Sequence, residues 1–337
     1  MNYSNKFIFS LAFIFLFGIS FSQESYKKEK AEIKKYIQSA VSEFNNTNYD
    51  KALEFSKFAL INSFAINDNL YIAQSYNTIG VIYDECSETE KAIQFYHKAL
   101  RYASEVKNDT LNNWIYGNLG SVYYFNDVDV PKGIEYYKKA LKFAEKVKDS
   151  SQIVYTKLNL ASAYFSIDSM QQGKREIAKI KNGILKNGSE DTKMSLYILL
   201  GIEASQSKQK QKAEDYYAKA LKIAKDNDYT SYITNIYENL SKHYKLNNDL
   251  VNQKLYEAKI DSINGIVFSD DKVSKLKSQV LHIELDEHRI QLERIEQENE
   301  RNQKVVRDSK LVVILFIIGI IILLLLLLVL YKNIKFR

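Results

Sequence analysis

A repeat of about 40 residues is the feature that most constrains the fold of this chain. A small or turn-tolerant residue recurs at intervals of 40 or 41 residues. The 337 residues include only one Pro and 11 Gly, so little interrupts helix formation. Helix pairs of this kind cannot bury their apolar faces alone and must stack on one another. The recurring residues are Ala52, Ala92, Gly133, Gly173, Ala213 and Gln253.

The second unit carries the clearest motif, and the other units share parts of it. The second unit has Tyr76, Ile79-Gly80, Tyr83, Ala92, Tyr96 and Ala99-Leu100, and the fifth has Tyr197, Leu200-Gly201, Ala213, Tyr217 and Ala220-Leu221. These offsets resemble the tetratricopeptide-repeat family. The resemblance implies an all-α solenoid of six helix pairs over residues 26–265, with small residues facing each other where paired helices approach most closely. The chain departs from the family in its longer period and in lacking the Pro that usually follows the second helix.

Two hydrophobic segments lie at the ends of the sequence. Residues 7–19 follow Lys6 and precede Ser20-Phe21-Ser22, which is the order of a secretory signal peptide over residues 1–22. Residues 311–331 are uncharged, and at about 1.5 Å per residue they could cross a bilayer as one helix. A basic tail, residues 332–337, follows. These features predict a single-pass protein of the bacterial inner membrane, with periplasmic repeats and a cytoplasmic C-terminus.

Residues 266–310 connect the repeats to the hydrophobic segment. From residue 267 they lack Pro, are dense in Glu, Lys, Arg and Gln, and predict a long helix. A heptad with several polar members leaves two interpretations open: a weak coiled coil that forms a homodimer, or a solvated single helix. The heptad runs through Leu285, His288, Leu292, Ile295, Asn299, Asn302 and Val306.

The sequence contains no motif for catalysis, a cofactor or a metal. It lacks a glycine-rich phosphate loop, a metalloprotease His pair and a nucleophile elbow. Cys86 is the only cysteine and is expected to pack at the end of a helix. The net charge of +6 is spread over alternating Lys, Glu and Asp, which disfavours nucleic-acid binding. His97, His243, His282 and His288 are expected at surface or cap positions.

Asparagine recurs at one position of the repeat and suggests a binding site. Asn118, Asn159 and Asn239 each directly precede the Leu-small pair of the first helix. In the related family this position faces the concave surface, where a carboxamide could pair with the main chain of an extended peptide. The alternative is that these side chains satisfy the backbone or a neighbouring helix. Thr78 and Leu199 interrupt the series.

The overall layout resembles the sensor half of bacterial transmembrane regulators that carry such repeats. Those regulators continue into a histidine kinase or a helix-turn-helix domain, whereas this sequence ends at Arg337. We expect a non-enzymatic membrane-anchored module that binds protein or peptide partners, either natively short or truncated before an output domain. A structural factor that tethers an envelope complex is the alternative.

Overall fold

The structure is a computed structural model that describes residues 26–46 and 48–267, together with residues 300, 307 and 316–320. Twelve helices fill residues 26–267. They are α1 (26–45), α2 (Tyr49–Ala65), α3 (Asn69–Glu85), α4 (Thr89–Ala103), α5 (Asp109–Phe125), α6 (Val130–Val147), α7 (Ser150–Ser166), α8 (Met170–Asn187), α9 (Glu190–Gln206), α10 (Lys210–Asp226), α11 (Thr230–Leu246) and α12 (Leu250–Val267).

Consecutive helices form six pairs, which we number units one to six from α1/α2 to α11/α12. Each recurring residue of the 40-residue repeat lies in the first turns of the second helix of its unit. The predicted all-α solenoid of stacked helix pairs is therefore confirmed. Pro131 lies at the start of α6, where Asp129 caps the helix through the backbone N–H of Lys132. A proline there costs no hydrogen bond, because the first N–H groups of a helix have no intrahelical partner.

Most consecutive helices are joined by tight turns that contain a left-handed residue. Eight non-glycine residues have positive φ between 51° and 62°. Asn and Asp tolerate this conformation better than other side chains, and they occupy five of the eight turns. Short polar or charged residues therefore make the turns between these helices. The eight residues are Asn67, Ser87, Asp127, Lys148, Asp168, Lys208, Asp228 and Asn248.

In units two, three and five, a glycine of the first helix lies beneath a tyrosine ring of the second. A Cβ built on Gly120 would lie 2.5 Å from Cδ1 of Tyr137, and one on Gly201 would lie 2.5 Å from Cε1 of Tyr217. Gly80 meets Tyr96 in the same way. Because these rings are fully buried, no larger residue than glycine fits without movement.

Unit four reverses this arrangement. The glycine that meets a ring here, Gly173, belongs to the second helix and lies against Phe165 on the first helix. Ala161 and Ile177 take the places that glycine and tyrosine hold in the neighbouring units. A Cβ on Gly173 would also lie 3.1 Å from the backbone oxygen of Ala161, as expected if small residues face each other.

The first helices of the units line the inner face of the stack. α3 packs on α5, α5 on α7, α7 on α9 and α9 on α11, whereas the second helices of successive units do not approach one another comparably within residues 48–267. A stack curves toward the helices that lie closest together. The inner face is therefore formed by the odd-numbered helices.

Several sequence predictions lie outside the described residues. These are the signal peptide (1–22), nearly all of the connector (266–310), the basic tail (332–337) and most of the hydrophobic segment (311–331). Residues 316–320 of that segment are described and are helical and exposed. Within the described part of the chain, no helix combines the length and apolar character needed to cross a membrane.

Candidate peptide-binding groove

Two adjoining cavities open on the inner face between α5, α7, α9 and α11. The larger has a volume of about 710 Å³ and the smaller about 350 Å³. Tyr124, Ser162, Ile198 and Asn235 line both cavities, so the two form one continuous groove. Pockets of several hundred Å³ are typical of ligand sites.

Aromatic and uncharged polar side chains line the smaller cavity. Phe125, Tyr155 and Tyr232 are 62%, 53% and 42% exposed and come from three different units. Leu158 and Leu199 are buried beneath them. Isolated exposed apolar residues are ordinary, but their convergence from separate helices marks an interaction surface.

The larger cavity lies toward the C-terminal ends of the same helices. Its lining includes Asp168, Lys242 and Lys245, so it combines charge with apolar area. Neither lysine makes an ion pair with a carboxylate of the described residues. This half of the groove therefore presents two cations to a bound molecule.

His243 is buried, which corrects the predicted surface or cap position. Only 1% of the residue is exposed, and Nδ1 lies 2.8 Å from Oγ of Ser205. Tyr217 packs edge-on against its ring. The histidine therefore joins α11 to α9 beside the larger cavity. His97, in contrast, is exposed as predicted.

The order of Ser205, His243 and Glu214 invites comparison with a hydrolase triad. Nε2 of His243 lies 3.9 Å from Oε1 of Glu214, which is beyond hydrogen-bond distance. Ser205 and His243 are both almost fully buried where they border the larger cavity, and no carboxylate of the described residues within hydrogen-bond distance orients the ring. Burial lowers the pKa of His243, opposed by Glu214 and aided by Lys210, and favours the neutral ring. The contact serves to tie helices together.

The three candidate asparagines have different surroundings. Nδ2 of Asn118 donates to Oδ1 of Asn77 at 3.0 Å, which joins α5 to α3. Nδ2 of Asn239 donates to the backbone oxygen of Asn235 at 2.8 Å on its own helix. Nδ2 of Asn159 is buried and has no hydrogen-bond partner among the described residues. Asn159 and Asn239 line the groove, whereas Asn118 lines neither cavity.

Hydrogen bonds between neighbouring units hold the groove walls in place. The hydroxyl of Tyr124 lies 2.8 Å from Oγ of Ser162, across α5 and α7. The hydroxyl of Tyr229 donates to Oδ1 of Asp191 at 2.8 Å, across units six and five. These bonds join residues about one repeat apart in sequence and connect the units that form the groove.

The aromatic walls of the groove could not be foreseen from the repeat motif. Tyr155 and Tyr232 lie outside the motif positions and face the inner surface. The available signal was helical spacing: Tyr155 precedes Asn159 by four residues, and residues four apart share a helix face. Phe125, at the last position of α5, offers no comparable signal.

The described residues contain no cluster of three or more His, Cys, Asp or Glu side chains that could hold a metal ion. Cys86 is buried at the end of α3, as expected for a packing residue. Burial, with neighbouring Glu85, Asp50 and Glu88, raises the pKa of its thiol to about 11. The thiol is therefore protonated at neutral pH and a poor nucleophile.

Comparison with known proteins is consistent with this architecture. The family model "Tetratricopeptide repeat" matches residues 73–105 and 195–227, which lie in units two and five. No protein in a curated collection matches the sequence.

Three solved structures share the fold. The apo form of RapI aligns with a TM-score of 0.56 and 12% identity over 80% of this chain and 99% of that one. A Rap protein complexed with Competence and Sporulation Factor aligns with a TM-score of 0.51 and 16% identity over 82% and 80%. A STAND signal-transduction ATPase with a tetratricopeptide repeat sensor, from Pyrococcus horikoshii, aligns with a TM-score of 0.52 and 16% identity over 80% and 44%. At these identities the likeness concerns the fold alone.

Proposed function

Because this chain is a tetratricopeptide-repeat protein with an open groove on its inner face, we propose that it binds an extended peptide or protein segment along α5, α7, α9 and α11. The observation that carries the proposal is the pair of adjoining cavities, whose walls come from four successive units. Carboxamides and hydroxyls in the groove can donate to and accept from a peptide main chain. The complex of a Rap protein with its factor supports the proposal by analogy of fold.

We further propose that the repeats form the extracytoplasmic sensor or scaffold module of a membrane-anchored protein. The support is the sequence: a signal-like segment precedes the repeats, and 19 of the 21 residues from 311 to 331 are Leu, Ile, Val or Phe. In this arrangement the groove meets partners outside the cytoplasm.

The topology is tested with alkaline phosphatase fusions, because this enzyme is active only after export. A fusion after Lys310 is expected to be active, and a fusion after Arg337 inactive. The reverse pattern would refute extracytoplasmic placement of the repeats while leaving the groove proposal intact.

Peptide binding is tested with the full chain in detergent and a displayed library of random linear peptides. Peptides of about 12 residues span at most about 40 Å when extended, enough to cross several helices. We expect the wild-type chain to enrich peptides that bind saturably. Asn235→Trp, which places a bulky ring where both cavities meet, should abolish that binding, whereas Asn227→Trp, outside the groove lining, should not. A library without any enriched peptide would contradict the proposed function.

A further inference from the structure

Resting on the proposed function, we infer that the smaller cavity is an anchor pocket for one aromatic side chain of the bound peptide, with Asn159 pairing with the peptide main chain beside it. The cavity lies between α7, α9 and α11 at the end of α5. This assigns a residue class to one position of the ligand and a distinct role to one of the three asparagines.

The walls of the pocket favour an aromatic occupant. Phe125, Tyr155 and Tyr232 present exposed ring surface around the opening, and aromatic pairs gain from edge-to-face and offset contacts beyond simple burial. Tyr155 and Tyr232 line the same cavity, and the pKa of Tyr232 is raised first by burial and then by Tyr155. The volume of about 350 Å³ lies at the lower end of the range for ligand pockets and has room for one large side chain.

The absence of charged residues from the pocket lining disfavours an ionised occupant. None of the residues that line the smaller cavity carries a formal charge at neutral pH, in contrast to Asp168, Lys242 and Lys245 in the adjoining cavity. Taking an ionised side chain from water into such a site without a partner is costly. A neutral ring therefore matches the pocket.

Asn159 provides an independent observation that points to a ligand. Its Nδ2 is buried without a partner, although the residue lines the cavity. Torsion about the bond to a terminal amide is soft, so the group can turn toward the cavity. A peptide carbonyl there would satisfy a donor that the free protein leaves unpaired. The Nδ2 groups of Asn118 and Asn239 already donate to acceptors within the protein, so a bound peptide would not satisfy an unpaired donor there.

The first test uses the displayed peptide library on the full chain. We expect Phe, Tyr or Trp to dominate one position of the enriched peptides. Replacement of that residue by Ala in a synthetic consensus peptide should weaken binding at least about tenfold, which corresponds to about 1.4 kcal/mol. Enriched peptides without an aromatic preference would overturn the anchor pocket while preserving the proposed function. Failure to enrich any peptide would overturn both.

The second test uses variants that fill or open the pocket. Ser195→Phe should occupy the cavity and prevent binding of the consensus peptide, whereas Ser151→Phe, on the exposed first turn of α7, should not. Tyr155→Ala should weaken binding, and Phe58→Ala, an exposed aromatic outside the cavity lining, should leave it unchanged. Melting curves identify any variant that fails to fold. Unchanged affinity in a folded Ser195→Phe chain would refute the pocket.

The third test isolates Asn159. Asn159→Leu removes a group that is unpaired in the free protein, so folding should be unaffected or improved. Affinity for the consensus peptide should nevertheless fall about 5- to 150-fold, the range expected when a hydrogen bond to a buried peptide group is lost. A chain that binds normally and melts earlier would show a purely structural asparagine and overturn this assignment.

Discussion

Units three and four are neighbours built from the same repeat, yet they differ in three details. Unit three has glycine on its first helix under Tyr137, whereas unit four has glycine on its second helix under Phe165. The asparagine at the shared position is hydrogen-bonded in unit three and unpaired in unit four. Unit three ends in a left-handed lysine and unit four in an extended glycine. In units two to five a ring therefore packs against a glycine, and the glycine belongs to the first helix in three of these units and to the second helix in unit four.

The largest expected effect comes from adding a methyl group under the ring of unit three. In Gly120→Ala the new Cβ would meet the buried Tyr137 ring, which has no space to move. Overpacking of this kind costs about 1–3 kcal/mol, and we expect the upper part of that range. Thermal unfolding followed by circular dichroism measures the loss.

Gly117→Ala is the matched control on the same helix. A Cβ there meets nothing within 4 Å, so the substitution should stabilise α5 by up to about 1 kcal/mol through helix propensity. Equal losses in the two variants would mean that ring packing is not what requires Gly120.

A smaller loss of stability is expected when a methyl group is added at the reversed glycine–ring contact of unit four. Gly173→Ala crowds the ring of Phe165, but that ring lies at the end of α7 and borders the larger cavity, so it has space to shift. We expect a loss near 1 kcal/mol. In the double variant with Phe165→Leu, the loss in free energy of unfolding should be smaller than the sum of the two single losses. The difference, which is the coupling energy, should be about 0.5–3 kcal/mol. Additive single and double variants would argue against a direct glycine–ring contact.

The free energies of unfolding of the Asn118→Leu and Asn159→Leu variants should differ by about 1 kcal/mol. Asn118→Leu removes the hydrogen bond to Asn77 and should lower stability by about 0.5–1.5 kcal/mol. Asn159→Leu removes no hydrogen bond and should not. Urea titrations of the two variants measure this difference in unfolding free energy. Equal losses in both variants would mean that Asn159 has a structural partner.

The smallest expected effect concerns the turn that ends unit three. Lys148 adopts φ 57° and ψ 34°, a conformation that costs an L-residue about 1–2 kcal/mol. Lys148→Gly should recover part of that cost, offset by greater unfolded-state entropy, for a net gain below about 1 kcal/mol. Lys181→Gly, inside α8, should lose about 1 kcal/mol instead. A melting temperature that falls in Lys148→Gly would contradict the strain argument.

The stack of helix pairs could be predicted from the sequence alone, but the groove on its inner face could not. The period and the small residues at Ala92, Gly120 and Gly173 follow from helix packing that every unit must satisfy, so they leave a repeated signal. The aromatic walls do not repeat: Tyr155 and Tyr232 occupy different positions of their helices, and Phe125 is at a helix end. A site assembled once from three units has no period to detect.

The reversal in unit four and the burial of His243 escaped detection for a related reason. Phe165 and Gly173 exchange roles that the motif assigns to fixed positions, so pattern matching finds an incomplete repeat. His243 is buried because Ser205, one repeat earlier, offers its hydroxyl. Such contacts depend on two residues from different units, and neither residue alone indicates from the sequence that the contact forms.

The hydrogen bonds between neighbouring units also bear on how the chain reaches its folded form. Tyr124 and Ser162, Tyr229 and Asp191, and His243 and Ser205 are each 38 residues apart, so every such link closes within roughly one repeat. Low sequence separation favours rapid folding. A unit can dock as soon as the next one leaves a ribosome or a translocation channel, with no need for the distant C-terminal half. Assembly can then proceed in the direction of synthesis, and the groove is completed only when α11 arrives.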